Sequence, residues 1–115
     1  MDILVVLEET QGSLHRLSKE AIAGAQKLGG KIVALAIGRH CDQIADECSS
    51  YDLENIITVN HELVSTYNAD GYLHIIKKVI EANSPKIIVA GHTYQTRDFM
   101  PRVSAATDIP FIPDI

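Results

Sequence analysis

The stretch that decides the fold is residues 86–105, KIIVAGHTYQTRDFMPRVSA. It opens with a continuous apolar run, Ile87, Ile88, Val89 and Ala90. Runs of this kind suit a parallel strand covered on both faces, not a strand with one face in water. Gly91 stops the run, and a polar segment follows that holds His92, Thr93, Arg97 and Asp98. An apolar rhythm then resumes around Pro101, carried by Val103 and Ala106. Asp98 is placed to cap a helix that starts near Asp98 or Phe99, accepting bonds from N–H groups two or three residues on. Pro101 would then fall in the first turn, where its missing N–H is harmless. The stretch therefore predicts strand, loop and helix in succession.

The same alternation extends outward in both directions. Residues 3–7, 32–37 and 56–59 are short apolar runs rich in β-branched side chains. Between them lie helical rhythms. Leu14, Leu17, Ala21, Ala25 and Leu28 recur at spacings of three and four, and Gly29-Gly30 ends that helix. Ile44, Ala45, Cys48 and Tyr51 make a shorter stripe, and Tyr72, Ile76, Val79 and Ile80 a third. Asp70 is placed to cap the third helix, and Ser84-Pro85 stops it. Residues 60–69 suggest an irregular turn of helix, and a short last strand falls at Phe111 and Ile112, bracketed by Pro110 and Pro113. Strands that alternate with helical crossovers predict a three-layer α/β/α fold around a mostly parallel, doubly wound sheet. The expected strand order is 3-2-1-4-5.

Composition sets the boundaries of function. The chain has 115 residues, 46% of them hydrophobic, which is enough for one core. Ten basic residues face fifteen acidic ones, for a formal charge of -5. Basic residues are scattered singly apart from Lys77-Lys78, so nucleic acid is not the expected partner. No apolar run reaches the roughly 18–20 residues of a membrane helix, and the opening MDILVVLEE lacks a basic n-region. A cytoplasmic or mitochondrial-matrix location is the expectation. Cys41 and Cys48, on one helix, stand about 10 Å apart along its axis, beyond the ~7 Å reach of a disulfide. They are expected to be buried and reduced.

In open parallel sheets, ligands sit beyond the carboxyl ends of the strands, where strand order reverses. Two segments should meet there: residues 8–12, EETQG, and residues 91–98, GHTYQTRD. A phosphate site needs glycines that admit backbone N–H groups to the anion, with positive charge nearby. Neither a G-x-G-x-x-G nor a Walker-type loop is present, and Glu8-Glu9 would repel an anion unless Arg97 neutralised them. Arg97 is expected to pair with Glu8 or Glu9 across the crevice. His92 and Thr93 suggest a base and a nucleophile, but adjacent residues on extended backbone point to opposite sides. His92 is instead expected to be a partly exposed loop histidine bonded to backbone. The other histidines, 15, 40, 61 and 74, fall on separate elements with no metal-ligand spacing, so neither catalysis nor metal binding is predicted. The residues of interest in the crevice or an interface are Glu8, Gly91, His92, Thr93, Arg97 and Asp98.

The whole pattern resembles one family. VAGHTYQTRDFMPRVSA is similar to a segment of the N-terminal domain of the electron transfer flavoprotein alpha subunit. The matching positions are Gly91, Thr93, Arg97, Asp98, Pro101, Arg102 and Ala105. ILVVLEE with Glu8, the turn KLGGKIVALAIG, and the spacing from NIITVN through Tyr67 to IEANSPKIIVAGHT fit the same pattern. Thr96 stands where that family commonly has a glycine, and Thr107-Asp108 where it tends to a leucine and a glycine. The resemblance implies an adenine nucleotide alpha hydrolase-like fold and assigns residues 1–115 to the N-terminal domain of an alpha subunit. It implies that the FAD-binding C-terminal domain lies outside this chain, that no cofactor is bound here, and that FAD belongs to the full-length parent. It further implies a beta subunit as partner, dehydrogenases as electron donors to the parent complex, and no catalytic activity in this domain. The competing expectation is a stand-alone nucleotide-binding module of universal-stress-protein type.

Overall fold

The fold was described in a computed structural model, which places residues 2–112. Strand β1 (Ile3–Val6) lies at the centre of the sheet. It leads into a two-stranded antiparallel hairpin, β2 (Glu9–Thr10) and β3 (Ser13–Leu14). Then come α1 (Arg16–Leu28), β4 (Ile32–Ile37), α2 (Cys41–Cys48) and β5 (Asn55–Val59). A single 3-10 turn, Glu62–Val64, precedes α3 (Ala69–Asn83), β6 (Ile87–Ala90), α4 (Tyr94–Thr107) and β7 (Phe111–Ile112). The main sheet runs β5-β4-β1-β6-β7, with every pairing parallel. Counted along the chain without the hairpin, that is the expected order 3-2-1-4-5. Pro113 lies outside the described residues.

Alternation along the strands divides the core into two layers. Ile3 and Val5 of β1 point with Ala34, Ala36 and Val89 toward α1 and α2. Leu4 and Val6 point with Leu35, Ile88 and Ala90 toward α3 and α4. Each central strand is thus buried on both faces, which is why its sequence shows no polar alternation. The first layer mixes aliphatic residues such as Ile22 and Ile44 with small ones, among them Ala21, Ala25, Cys41 and Cys48. The second is filled with larger ones, including Tyr72, Ile76, Phe99 and Met100.

Three helix starts differ from the sequence reading. Leu14 belongs to β3, and α1 begins at Arg16 with the His15 ring as its cap, Nδ1 accepting from Leu17 N–H at 2.9 Å. The cap of α3 is Asn68, which accepts from Gly71 N–H at 2.7 Å, while Asp70 sits inside the first turn. The largest shift is in α4. Thr93, not Asp98, is its cap, so the helix starts four residues before Asp98 and Pro101 lies inside it. Thr93 competes better because its hydroxyl is held by Glu8 as well as by the Thr96 N–H, described below. At the other end of α1, Leu28 is 48% exposed and leaves the apolar stripe in which it was expected.

Candidate functional site

β1 and β6 are neighbours, so the residues that follow them come together at the carboxyl end of the sheet. Glu8 leaves β1 toward α4. Its N–H donates to Ser18 Oγ at 2.8 Å, and Ser18 is buried in α1. Its carboxylate accepts from the Thr93 hydroxyl at 2.6 Å. Thr93 Oγ1 in turn accepts from Thr96 N–H at 3.2 Å and lies 3.1 Å from the buried Thr96 hydroxyl. A carboxylate held at a helix N-terminus is electrostatically favourable there. Gly91 lies against α1: a Cβ at this position would stand 2.7 Å from Leu17 Cβ and 3.0 Å from Leu17 backbone. The glycine therefore serves close packing of helix on loop.

Glu9 turns the opposite way. It accepts from Gly12 N–H at 2.6 Å and so closes the hairpin, whose turn residues Gln11 and Gly12 both have positive φ. Its other oxygen is 3.3 Å from His40 Nδ1, a buried atom without an aligned hydrogen bond. His15 Nε2 lies 3.9 Å from Glu8. The adjacent glutamates are thus each committed to a separate local structure.

The expected pairing of Arg97 with Glu8 or Glu9 does not occur. Because α4 begins at Tyr94, Arg97 sits one turn in and lies over the Tyr94 ring, 5.0 Å from its centroid. Asp98 is too far along the helix to cap it and accepts instead from Tyr67 O–H at 2.7 Å. Tyr67 stacks edge-on against Tyr72 at 4.8 Å and near Phe99 at 6.2 Å. Burial, and then the Asp98 carboxylate, push the Tyr67 phenol well above its usual range. Tyr72 donates to Ile37 C=O at 3.3 Å, and burial followed by the charges of Glu8 and Glu9 pushes it up to about 12. Both phenols are therefore neutral donors at neutral pH. His92 is exposed and makes none of the hydrogen bonds found among the described residues, so its expected backbone bond is absent there. Thr93 is engaged with Glu8 and Thr96, and no triad forms around His92.

Of the six residues singled out from sequence, the structure brings Glu8, Gly91 and Thr93 into one cluster. Arg97 and Asp98 stand on a second surface beside Tyr67 and Tyr94, and His92 stands apart. Ser18, Thr96 and Tyr67 escaped the reading of crevice residues. The only signal for Ser18 was a hydroxyl inside an apolar helical stripe, and for Tyr67 an aromatic in a polar turn. The start of α4 does not fit a phosphate. Thr93 already caps it, Glu8 places a carboxylate on it, and Gly91 is pressed against Leu17. Cys41 and Cys48 are free and buried; burial, then Glu47, pushes the Cys48 thiol up to about 11. Among the described residues no group of three or more acids, histidines or cysteines is arranged to hold a metal ion. No described helix is long and apolar enough to cross a membrane.

The model of the electron transfer flavoprotein domain family matches residues 3–115, nearly the whole length. The chain belongs to the electron transfer flavoprotein family. It is 30% identical over 114 residues to the electron transfer flavoprotein subunit alpha of Bacillus subtilis, covering 97% of this chain and 35% of that protein. It is 31% identical over 108 residues to the acryloyl-CoA reductase electron transfer subunit beta of Anaerotignum propionicum, covering 90% of this chain and 29% of that protein. It is 26% identical over 115 residues to a probable mitochondrial electron transfer flavoprotein subunit alpha of Schizosaccharomyces pombe, covering 98% and 34%. The chain spans about a third of the length of the curated relatives it matches. Family membership and the parallel α/β sheet both bear out the sequence reading.

Proposed function

We propose that residues 1–115 form the N-terminal domain of an electron transfer flavoprotein alpha subunit, and that this domain docks the beta subunit. The observation that carries the reading is whole-chain membership of the family together with relatives named as alpha subunits. The parent complex would carry electrons from dehydrogenases by means of FAD. The crevice residues of this chain do not fit the phosphates of that cofactor, because a capped helix start and a carboxylate occupy the place an anion would take. FAD binding is therefore assigned to other parts of the parent, and the domain by itself is proposed to be non-catalytic. A bacterial cytoplasm or mitochondrial matrix is the proposed location, in keeping with two free buried thiols.

The test is size-exclusion chromatography of this chain mixed with a purified beta subunit from the same source. Co-elution is expected. Separate elution, under conditions where full-length alpha subunit co-elutes with beta, would overturn the reading.

A further inference from the structure

The helices that start at the carboxyl end of the sheet are not capped alike. Asn68 caps α3 and Thr93 caps α4, and neither side chain titrates at ordinary pH. α1 instead starts on an imidazole: Leu17 N–H donates to His15 Nδ1 at 2.9 Å. Histidine is the side chain whose charge changes between about pH 8 and pH 5. We propose that His15 is a two-position pH switch, a neutral cap of α1 that protonation moves onto the carboxylate of Glu8.

The geometry sets both positions. Nδ1 can accept from Leu17 N–H only while it carries a lone pair, so the neutral ring holds its proton on Nε2. That nitrogen faces Glu8 Oε2 at 3.9 Å, too far for a hydrogen bond and close enough to attract a cation. A second proton, on Nδ1, sets donor against donor at Leu17, and the cap is lost. The Glu8 oxygen that faces His15 is not the one that accepts from Thr93, so the cation can be received without releasing the start of α4. The His15 side chain is 25% exposed, which leaves the ring room to turn. His61 offers a contrast. Leu63 N–H donates to its Nδ1 at 3.1 Å, but no carboxylate lies within ion-pair distance of it among the described residues. It has one position where His15 has two.

The other charged and titratable groups around this turn are engaged elsewhere or stand in solvent. Arg16 and Lys19 of α1 are exposed. Glu47 of α2 accepts from Leu14 N–H at 2.8 Å, and Glu9 of the hairpin faces His40. His92 is exposed in the loop after β6. Among the described residues Glu8 is the acid within ion-pair distance of His15. Leu17 packs on Gly91, so a loosened first turn of α1 is transmitted to the loop that leads into α4.

The test is nuclear magnetic resonance of the 115-residue chain, read between about pH 8 and pH 5. Imidazole nitrogen shifts are expected to show His15 as the Nε2–H tautomer at the upper pH. Exchange protection of the Leu17 amide, corrected for the intrinsic effect of pH and referred to the core amide of Ile76, should fall about fivefold or more at the lower pH, the loss of one cap. In His15→Asn, which caps without titrating, that fall should disappear. In Glu8→Gln, which keeps an acceptor for Thr93 but offers no charge to the imidazolium, Leu17 protection should persist to lower pH than in the parent. An Nδ1–H tautomer at the upper pH overturns the proposal, and that readout needs no variant. So does Leu17 protection that is constant with pH, or one that falls equally in His15→Asn. A fall in Glu8→Gln at the same pH as in the parent removes Glu8 as the second position and overturns the two-position switch.

Discussion

The two ends of the sheet use the same device with different energetics. At the amino end, Asp2 precedes β1 and ties together the starts of its neighbours. It accepts from Lys31 N–H at 2.8 Å, and it faces the Lys86 ammonium at 3.5 Å. At the carboxyl end, Glu8 follows β1 and ties α1 to α4 through Ser18 and Thr93. Around Asp2, water is close: the Lys86 side chain is 81% exposed. Around Glu8, whose side chain is 17% exposed, the backbone N–H meets the hydroxyl of buried Ser18 and the carboxylate meets the part-buried Thr93 hydroxyl. A charge-assisted bond shielded from water is stronger than one that solvent can replace, and its loss leaves a costlier orphan. The difference suggests that the carboxyl end holds a fixed geometry while the amino end is a solvated seam.

If that contrast is right, the largest loss should follow from crowding the carboxyl end. Gly91→Ala places a methyl 2.7 Å from Leu17 Cβ and 3.0 Å from its backbone, where no flexible side-chain end can swing away. Overpacking of this kind costs about 2–3 kcal/mol, a fall in Tm of about 8 °C or more for a domain of this size. Thermal unfolding followed by circular dichroism reads it. An unchanged Tm would mean that α1 and the loop after β6 are not held as closely as described.

A smaller loss is expected from Thr93→Val, which keeps the volume and removes the hydroxyl. Glu8 loses its hydroxyl donor and Thr96 N–H loses its cap. Each defect is worth about 1 kcal/mol, and together about 1–2 kcal/mol. Because the cap is a hydrogen-bond effect, Thr93→Ser should recover most of the stability by denaturant titration. A serine variant as weak as the valine would show that methyl packing, not the hydroxyl, matters at this position.

Sequence reading reached the main sheet because burial on both faces imprints short, β-branched apolar runs, as at Ile87–Ala90, flanked here by Pro85 and Gly91. It brought the segments after β1 and β6 together for the same reason. It failed where a cap depends on a partner far along the chain. Thr93 and Asp98 are both acceptable caps locally. What decides between them is Glu8, 85 residues before Thr93, and a tertiary contact leaves no periodic trace. The β2–β3 hairpin was missed because Gln-Gly is a weaker turn signal than Asn-Gly, and each strand has only two residues. Arg97 was misjudged as a consequence of the helix start. Once Tyr94 opens the helix, residues three apart share a face, and the guanidinium meets a ring instead of an acid.

The smallest effect belongs to the amino end and tests the comparison from the other side. Asp2→Asn removes the charge and keeps an acceptor for Lys31 N–H. The Lys31 N–H bond, opposed by partial desolvation and aided by Lys86, holds the Asp2 carboxyl below its usual range. A carboxyl with a lowered folded pKa contributes stability above its unfolded pKa of about 4, and that contribution disappears as pH falls through the folded value. The parent and the Asn variant should therefore differ slightly at neutral pH and converge below about pH 4. The difference should also shrink with salt, since Lys86 is exposed to screening. Chemical denaturation at neutral and acidic pH reads both trends. A loss at neutral pH as large as that of Thr93→Val would erase the distinction between the two ends and make Asp2 a structural anchor equal to Glu8.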